Sequence, residues 1–201
     1  MHRPLSWPLA ARLPSLALLT ICSTFCACQK PPRSRGETVT RMVQLQESGR
    51  YDDAVRVVQV WMSQHQNDTS QDDFLHLQIA MVYTIKAYHR QSTRDESLRN
   101  SASHLEQALS LYTAKKPEDV DDSMLFGIGG AYEIMGDISQ KDKCQYFAKA
   151  RKAFQDQLPL VKGDSYTADG HTTSLEPLRA DVRKHLASVE EKSAQAGCNV
   201  P

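Results

Sequence analysis

The side chains able to do chemistry are few and scattered. Cysteines stand at positions 22, 26, 28, 144 and 198, the first three crowded at the end of an apolar stretch from Leu13 to Ala27. Beyond His2, histidines occur at 65, 76, 89, 104, 171 and 185, with none of the His-x-x-x-His or Cys-x-x-Cys spacings that gather a metal ion. His76 and His89 fall in one predicted helix, at a spacing that does not bring them together. The acidic run Glu118-Asp119-Val120-Asp121-Asp122 lacks the alternating ligands and the glycine of a calcium loop, and is better explained as charge at a helix N-terminus. Phe126-Gly127-Ile128-Gly129-Gly130 is rich in glycine, but no strand precedes it and it lies within a helical pattern, so it does not read as a phosphate cradle. Asp169-Gly170-His171-Thr172 is a turn sequence; His171 could anchor an active site or ligand site there, although no nucleophile with an orienting base accompanies it. No catalytic residue, cofactor or metal site is read from these patterns.

The chain of 201 residues carries 24 Lys+Arg against 24 Asp+Glu, a balance that disfavours a basic nucleic-acid binder and an acidic disordered tail. The zero is a sum of unlike parts. Arg3 and Arg12 precede or open the apolar stretch, and no acid occurs before Glu37. A basic start and an apolar core shorter than the ~20 residues of a membrane span read as an export signal over 1–27. Without it, 22 cations face 24 acids, a charge of −2. Phe25-Cys26-Ala27-Cys28 resembles the lipobox of bacterial lipoproteins, in which a small residue precedes a cysteine that is diacylated and becomes the N-terminus. The resemblance implies lipidation of Cys28, a membrane anchor and a place in the bacterial cell envelope; Gln29 after the cysteine implies the outer membrane, facing the periplasm. Export without that cleavage or by another route, and a chance match, are the alternatives. Residues 28–36 then comprise the lipidated cysteine and a tether, with two prolines, three cations and no large apolar side chain.

Cys144 and Cys198 are the thiols that remain. In an oxidising compartment they make either one disulfide or a pair of free cysteines, one buried and one exposed. A bridge would pin the tail after Gly197 to the preceding helical layer and stabilise by about 4 kcal/mol in the chain-entropy account.

The elements that hold these residues are helices. Val39 to Ser48 and Tyr51 to Gln64 carry helical apolar spacing and are divided by Gly49. Ser70 to Asp73 reads as a cap for a helix through Tyr88, and Thr93-Arg94-Asp95-Glu96 as a capping box for one running to Lys116. A fifth helix is predicted from Val120 to Met135, stopped by Gly136, and a sixth from Asp137–Gln140 to Pro159. The polar stretch from Lys162 to Ser174 reads as a loop, and a last helix starts at Leu175. Short connections make this an all-α stack of antiparallel hairpins.

Gly49-Arg50-Tyr51-Asp52-Asp53-Ala54 resembles the inter-helix turn of a tetratricopeptide repeat. Ile79-Ala80 with Tyr83, and Leu125, Ile128, Gly129 and Tyr132 with Gly136 as turn glycine, are similar to the family's first-helix pattern. Leu105, Ala108 and Leu109, and Phe147 with Ala150, are similar to its second-helix pattern. Ala80 and Gly129 stand 49 apart, against about 34 in a regular array, so the solenoid is short and irregular. The resemblance implies three tetratricopeptide-like hairpins over 37–158, a loop over 159–174, and a capping helix and tail over 175–201. It further implies a groove along the first helices of the hairpins. Val39, Val43, Gln46 and Glu47, then Phe74, Leu77, Met81 and Ile85, then Phe126, Glu133 and Ile134 would line it; the alternative is that Leu77, Met81 and Phe126 are simply core. An apolar centre with an acidic rim suits a peptide bearing apolar anchors and positive charge, so the expected partner is an envelope protein. The expected role is a non-catalytic, membrane-anchored interaction module; the alternative is an envelope enzyme or small-ligand receptor using the His171 loop.

The lipobox reading predicts that cells fed radiolabelled palmitate label this protein, and that Cys28→Ser removes the label. Persistent labelling of that variant would show that Cys28 is not the acylated residue.

Overall fold

Two glycines mark where helices must stop. Gly49 has φ +71° and Gly197 φ +70°, the left-handed region that a residue without a Cβ enters freely. Behind each, the backbone closes in the same way: the Gly49 and Arg50 amides donate to Gln46 and Leu45, and the Gly197 and Cys198 amides donate to Ala194 and Ser193. These paired bonds satisfy the last carbonyls of the helix and turn the chain out of it.

The computed structural model describes residues 32, 34–115, 123–161, 165–168 and 171–198, with the ribbon residues 165–168 and 171–173 described by backbone. Among them are the α-helices α1 (Arg35–Glu47), α2 (Tyr51–Gln64), α3 (Asp72–His89), α4 (Arg94–Thr113), α5 (Met124–Ile138), α6 (Lys143–Gln157) and α7 (Glu176–Gln195). They pack as successive antiparallel pairs, α1 on α2, α3 on α4 and α5 on α6, with α7 laid against α6 and α5. Between pairs, α3 touches α2 and α5, and α4 touches α5. None of the described helices is long and apolar enough to cross a membrane.

Helix α3 joins two cores because its apolar residues face two ways. Leu75, Ile79 and Val82 bury with Met42, Val55 and Val58 of the first hairpin. Leu77, Ala80 and Ala87 bury with Leu105, Ile128, Met135, Phe154, Val182 and Val189 of the later helices. A small polar knot seals the second junction. The Ser101 hydroxyl bonds the Ala80 carbonyl at 3.0 Å, Thr84 bonds the same carbonyl at 3.0 Å, and the two hydroxyls lie 2.8 Å apart.

Several boundaries depart from expectation. α1 starts at Arg35, inside the stretch read as tether, because the Ser34 hydroxyl accepts the Glu37 amide at 3.2 Å and caps it there. α4 begins at Arg94, but Thr93 caps nothing: a 3₁₀ turn at Gln91–Thr93 leads into the helix and the Thr93 hydroxyl is buried without a partner. Gly136 does not end α5, which continues to Ile138; a Cβ there would overlap the Phe147 ring, so this glycine serves a close helix crossing. Gly129 does the same beneath Phe154, whose ring would lie 2.7 Å from the added carbon. The polar stretch read as a loop holds an antiparallel ribbon, β1 (Ser165–Ala168) and β2 (His171–Ser174), with Ser165 opposite Ser174. Its signal was the pair of Tyr/Thr-rich runs flanking Asp169-Gly170, a hairpin dipeptide. The expected start of α5 at Val120 and the acidic run before it lie outside the described residues, as does the export signal.

Gly130 differs from its neighbours, since a Cβ there meets nothing within 4 Å. Gly130→Ala is therefore expected to raise stability by about 1 kcal/mol through helix propensity. Gly136→Ala is expected to lower it by about 1–2 kcal/mol, overpacking outweighing the same propensity gain. Urea unfolding midpoints with unchanged slopes check both.

Candidate functional site

The face of α3 that lies between its two buried faces carries Phe74, Met81 and Ile85, spaced 7 and 4 apart and so stacked on one side of the helix. All three are half-buried. Phe74 and Ile85 lean on the first core and Met81 on the second. The Arg35 guanidinium of α1 stands 6.0 Å over the Phe74 ring, which brings the first helix to the edge of this row. On α1, Val43 is 37% exposed and Glu47 is exposed; on α5, Ile134 is half-buried. Gly130 shares that side of α5 and leaves open space above the backbone.

Three of the residues placed in the groove by sequence are committed elsewhere. Leu77 is 6% exposed and lies against α5 at Gly127, where its Cδ2 would be 2.8 Å from an added Cβ. Phe126 is wedged between the Phe154 and His185 rings, at centroid distances of 5.9 Å and 5.4 Å. Its amide donates to the buried Gln157 side chain at 3.1 Å, which supplies α5 with a cap from the end of α6. Glu133 is buried under α7, where its carboxylate accepts from His185 Nδ1 at 2.7 Å, Ser188 Oγ at 2.8 Å and Lys192 Nζ at 2.8 Å. Phe126 and Glu133 are drawn inward because α7 covers the flank of α5 that an uncapped array would leave open, and Leu77 because α5 packs on α3.

That covering is an electrostatic joint. Burial by itself would push the Glu133 carboxyl up, but the bonds from Lys192, His185 and Ser188, with the Lys192 charge, outweigh it and hold the carboxyl below its ordinary range. Lys192 also reaches Asp137 at 2.7 Å; these partners raise its pKa against the opposing effect of burial. At the end of α7 the chain is tied down covalently, because Cys144 of α6 and Cys198 are joined in a disulfide with their Cα atoms 5.3 Å apart. The closed segment separates the two cysteines by 54 residues and contributes about 4 kcal/mol through lost unfolded-state entropy.

A contact that sequence reasoning missed lies on the opposite side of α3. His76 of α3 and His104 of α4 face each other with Nδ1 atoms 2.8 Å apart, and the Tyr83 ring stacks on His104 at 6.0 Å. Burial depresses both imidazoles, and the neighbouring His76 adds to the effect on His104, whose pKa falls to about 4. Both rings are therefore neutral at neutral pH. The two histidines are 28 residues apart, so no short motif joins them; only the antiparallel register of α3 and α4 does. Nearby, the buried Asp73 pairs with Lys115 at 2.7 Å through Oδ2, while Oδ1 has no hydrogen-bond partner. Among the described residues no group of three or more His, Cys, Asp or Glu side chains is gathered as a metal cage. Cys28 lies outside the described residues, and β2 places His171 by backbone alone.

The joint at Glu133 makes a pH prediction with a definite sign. A carboxyl depressed in the folded state stabilises above its ordinary value of 4.5 and loses that contribution as pH falls below it. Unfolding free energies between pH 7 and 3 should therefore drop on the acid side, and Glu133→Gln should lower the neutral-pH value and flatten that limb. Comparison of the chain with protein-family models, with curated proteins and with solved structures finds no match.

Proposed function

We propose that this protein is a lipid-anchored envelope lipoprotein whose stacked helix pairs act as a tetratricopeptide-like, non-catalytic module for holding a partner protein. The observation that carries this reading is the row Phe74, Met81 and Ile85 on α3, half-buried at the margins of the two cores. Val43 and Glu47 extend it on α1, and Ile134 beside the open Gly130 extends it on α5. A helix normally hides such a row, and a surface that keeps it half-open fits a partner segment bearing apolar anchors at alternate or helical spacing. Glu47 at one margin favours positive charge on that partner. Membrane attachment through Cys28 would hold the module near its partner without need of a spanning helix.

Phe74→Ala combined with Ile85→Ala tests the groove. Both side chains are only half-buried, so helical circular dichroism should persist while recovery of the envelope partner in a pull-down falls to background. Full recovery by a folded double variant would move the binding surface elsewhere.

A further inference from the structure

We propose that His76 and His104 form a two-imidazole site for a divalent transition cation such as zinc, on the side of α3 opposite the apolar row. The geometry is the first ground. Two Nδ1 atoms on separate helices point at one another across 2.8 Å, and both rings are half-buried yet reachable from solvent. A zinc ion bound tetrahedrally at about 2.0–2.1 Å from each nitrogen would set them about 3.3 Å apart, so the rings must part by about half an ångström and turn out of their present end-on contact, with centroids 5.1 Å apart, to aim both nitrogens at one ion.

The second ground is the state of the rings. Imidazole binds a metal through a ring nitrogen that carries no proton. Their present contact demands opposite tautomers: one ring donates through Nδ1–H and the other accepts at Nδ1. A cation in place of the shared proton demands that both rings carry their proton on Nε2. The third ground is the setting. The Tyr83 ring stacks on His104 and limits its rotation, and Asp72, one helical turn before His76, adds negative charge that acts on that ring. Asp73, the next carboxylate along, acts on the same ring although it also pairs with Lys115. Water completes the shell, which suits an exchangeable cation rather than a structural one.

Zinc titration of the full chain, followed by long-range proton–nitrogen NMR of the imidazoles, tests this. Without metal, the His76 and His104 rings should show opposite tautomers. With zinc alone, both should become Nε2–H forms with shifted Nδ1 resonances, at one equivalent. His104→Asn and His76→Asn should each weaken that equivalent about tenfold or more, since even groups outside a metal's ligand shell can cost that much. Two rings that keep opposite tautomers in excess zinc would overturn the proposal, as would a site whose affinity survives either substitution. The wild-type tautomers decide the matter even if a variant fails to fold.

Discussion

The C-terminal half of this molecule depends on bare backbone along α5. Phe147 and Phe154 of α6 lie where side chains of Gly136 and Gly129 would otherwise stand, and Leu77 of α3 presses on Gly127. Three large apolar groups thus pack against the helix axis itself, and dispersion contact at that range is lost quickly if a methyl group intervenes. The glycines weaken α5 as an isolated helix by about 1 kcal/mol each, so the helix owes its existence to the neighbours it admits. Once α5 is set at this depth, Phe126 and Glu133 fall on the flank that α7 must cover, and the position of the last helix follows.

Polar groups then make the packing specific. Ser101 and Thr84 share the Ala80 carbonyl at the α3–α4 crossing, and Ser101 reaches the Met135 sulfur of α5 at 3.4 Å. Gln157 caps α5 from α6, and Glu133 gathers three donors from α7. A buried polar atom left unpaired costs more than a made bond contributes, so each of these contacts penalises a slipped register. The surface ion pairs such as Lys141–Asp95, both exposed, add little by comparison.

Elements with strong local signals were readable in the sequence. The Gly49 turn and α2 follow from glycine at the left-handed position and apolar residues at helical spacing. Gly136 misled, because a glycine near the end of an apolar run reads equally as a stop or as a packing site, and only the distant Phe147 decides. The placement of the residues assigned to the groove was legible in part for the same reason. Phe74, Met81 and Ile85 occupy one helix face whatever packs behind them, but the burial of Leu77 and Glu133 is set by α5 and α7, which no local pattern names. His76 and His104 were unreadable as a pair, since their contact exists only through the pairing of two whole helices.

The staple between Cys144 and Cys198 also says something about time. A ribosome delivers the chain from its N-terminus, so the residues that seal α5, from Glu176 to Cys198, emerge after α1–α6. Until then Phe126, Phe154 and Glu133 stand uncovered beside a completed α5–α6 pair, an apolar flank with a charge in it and a ready target for misassembly. Once the bridge closes, α7 cannot drift from that flank even when its ionic contacts break, because the linked end keeps it at high effective concentration. Residues 176–198 therefore act as a latch on the α5–α6 pair, and an unlatched chain is marked by the surface it still shows.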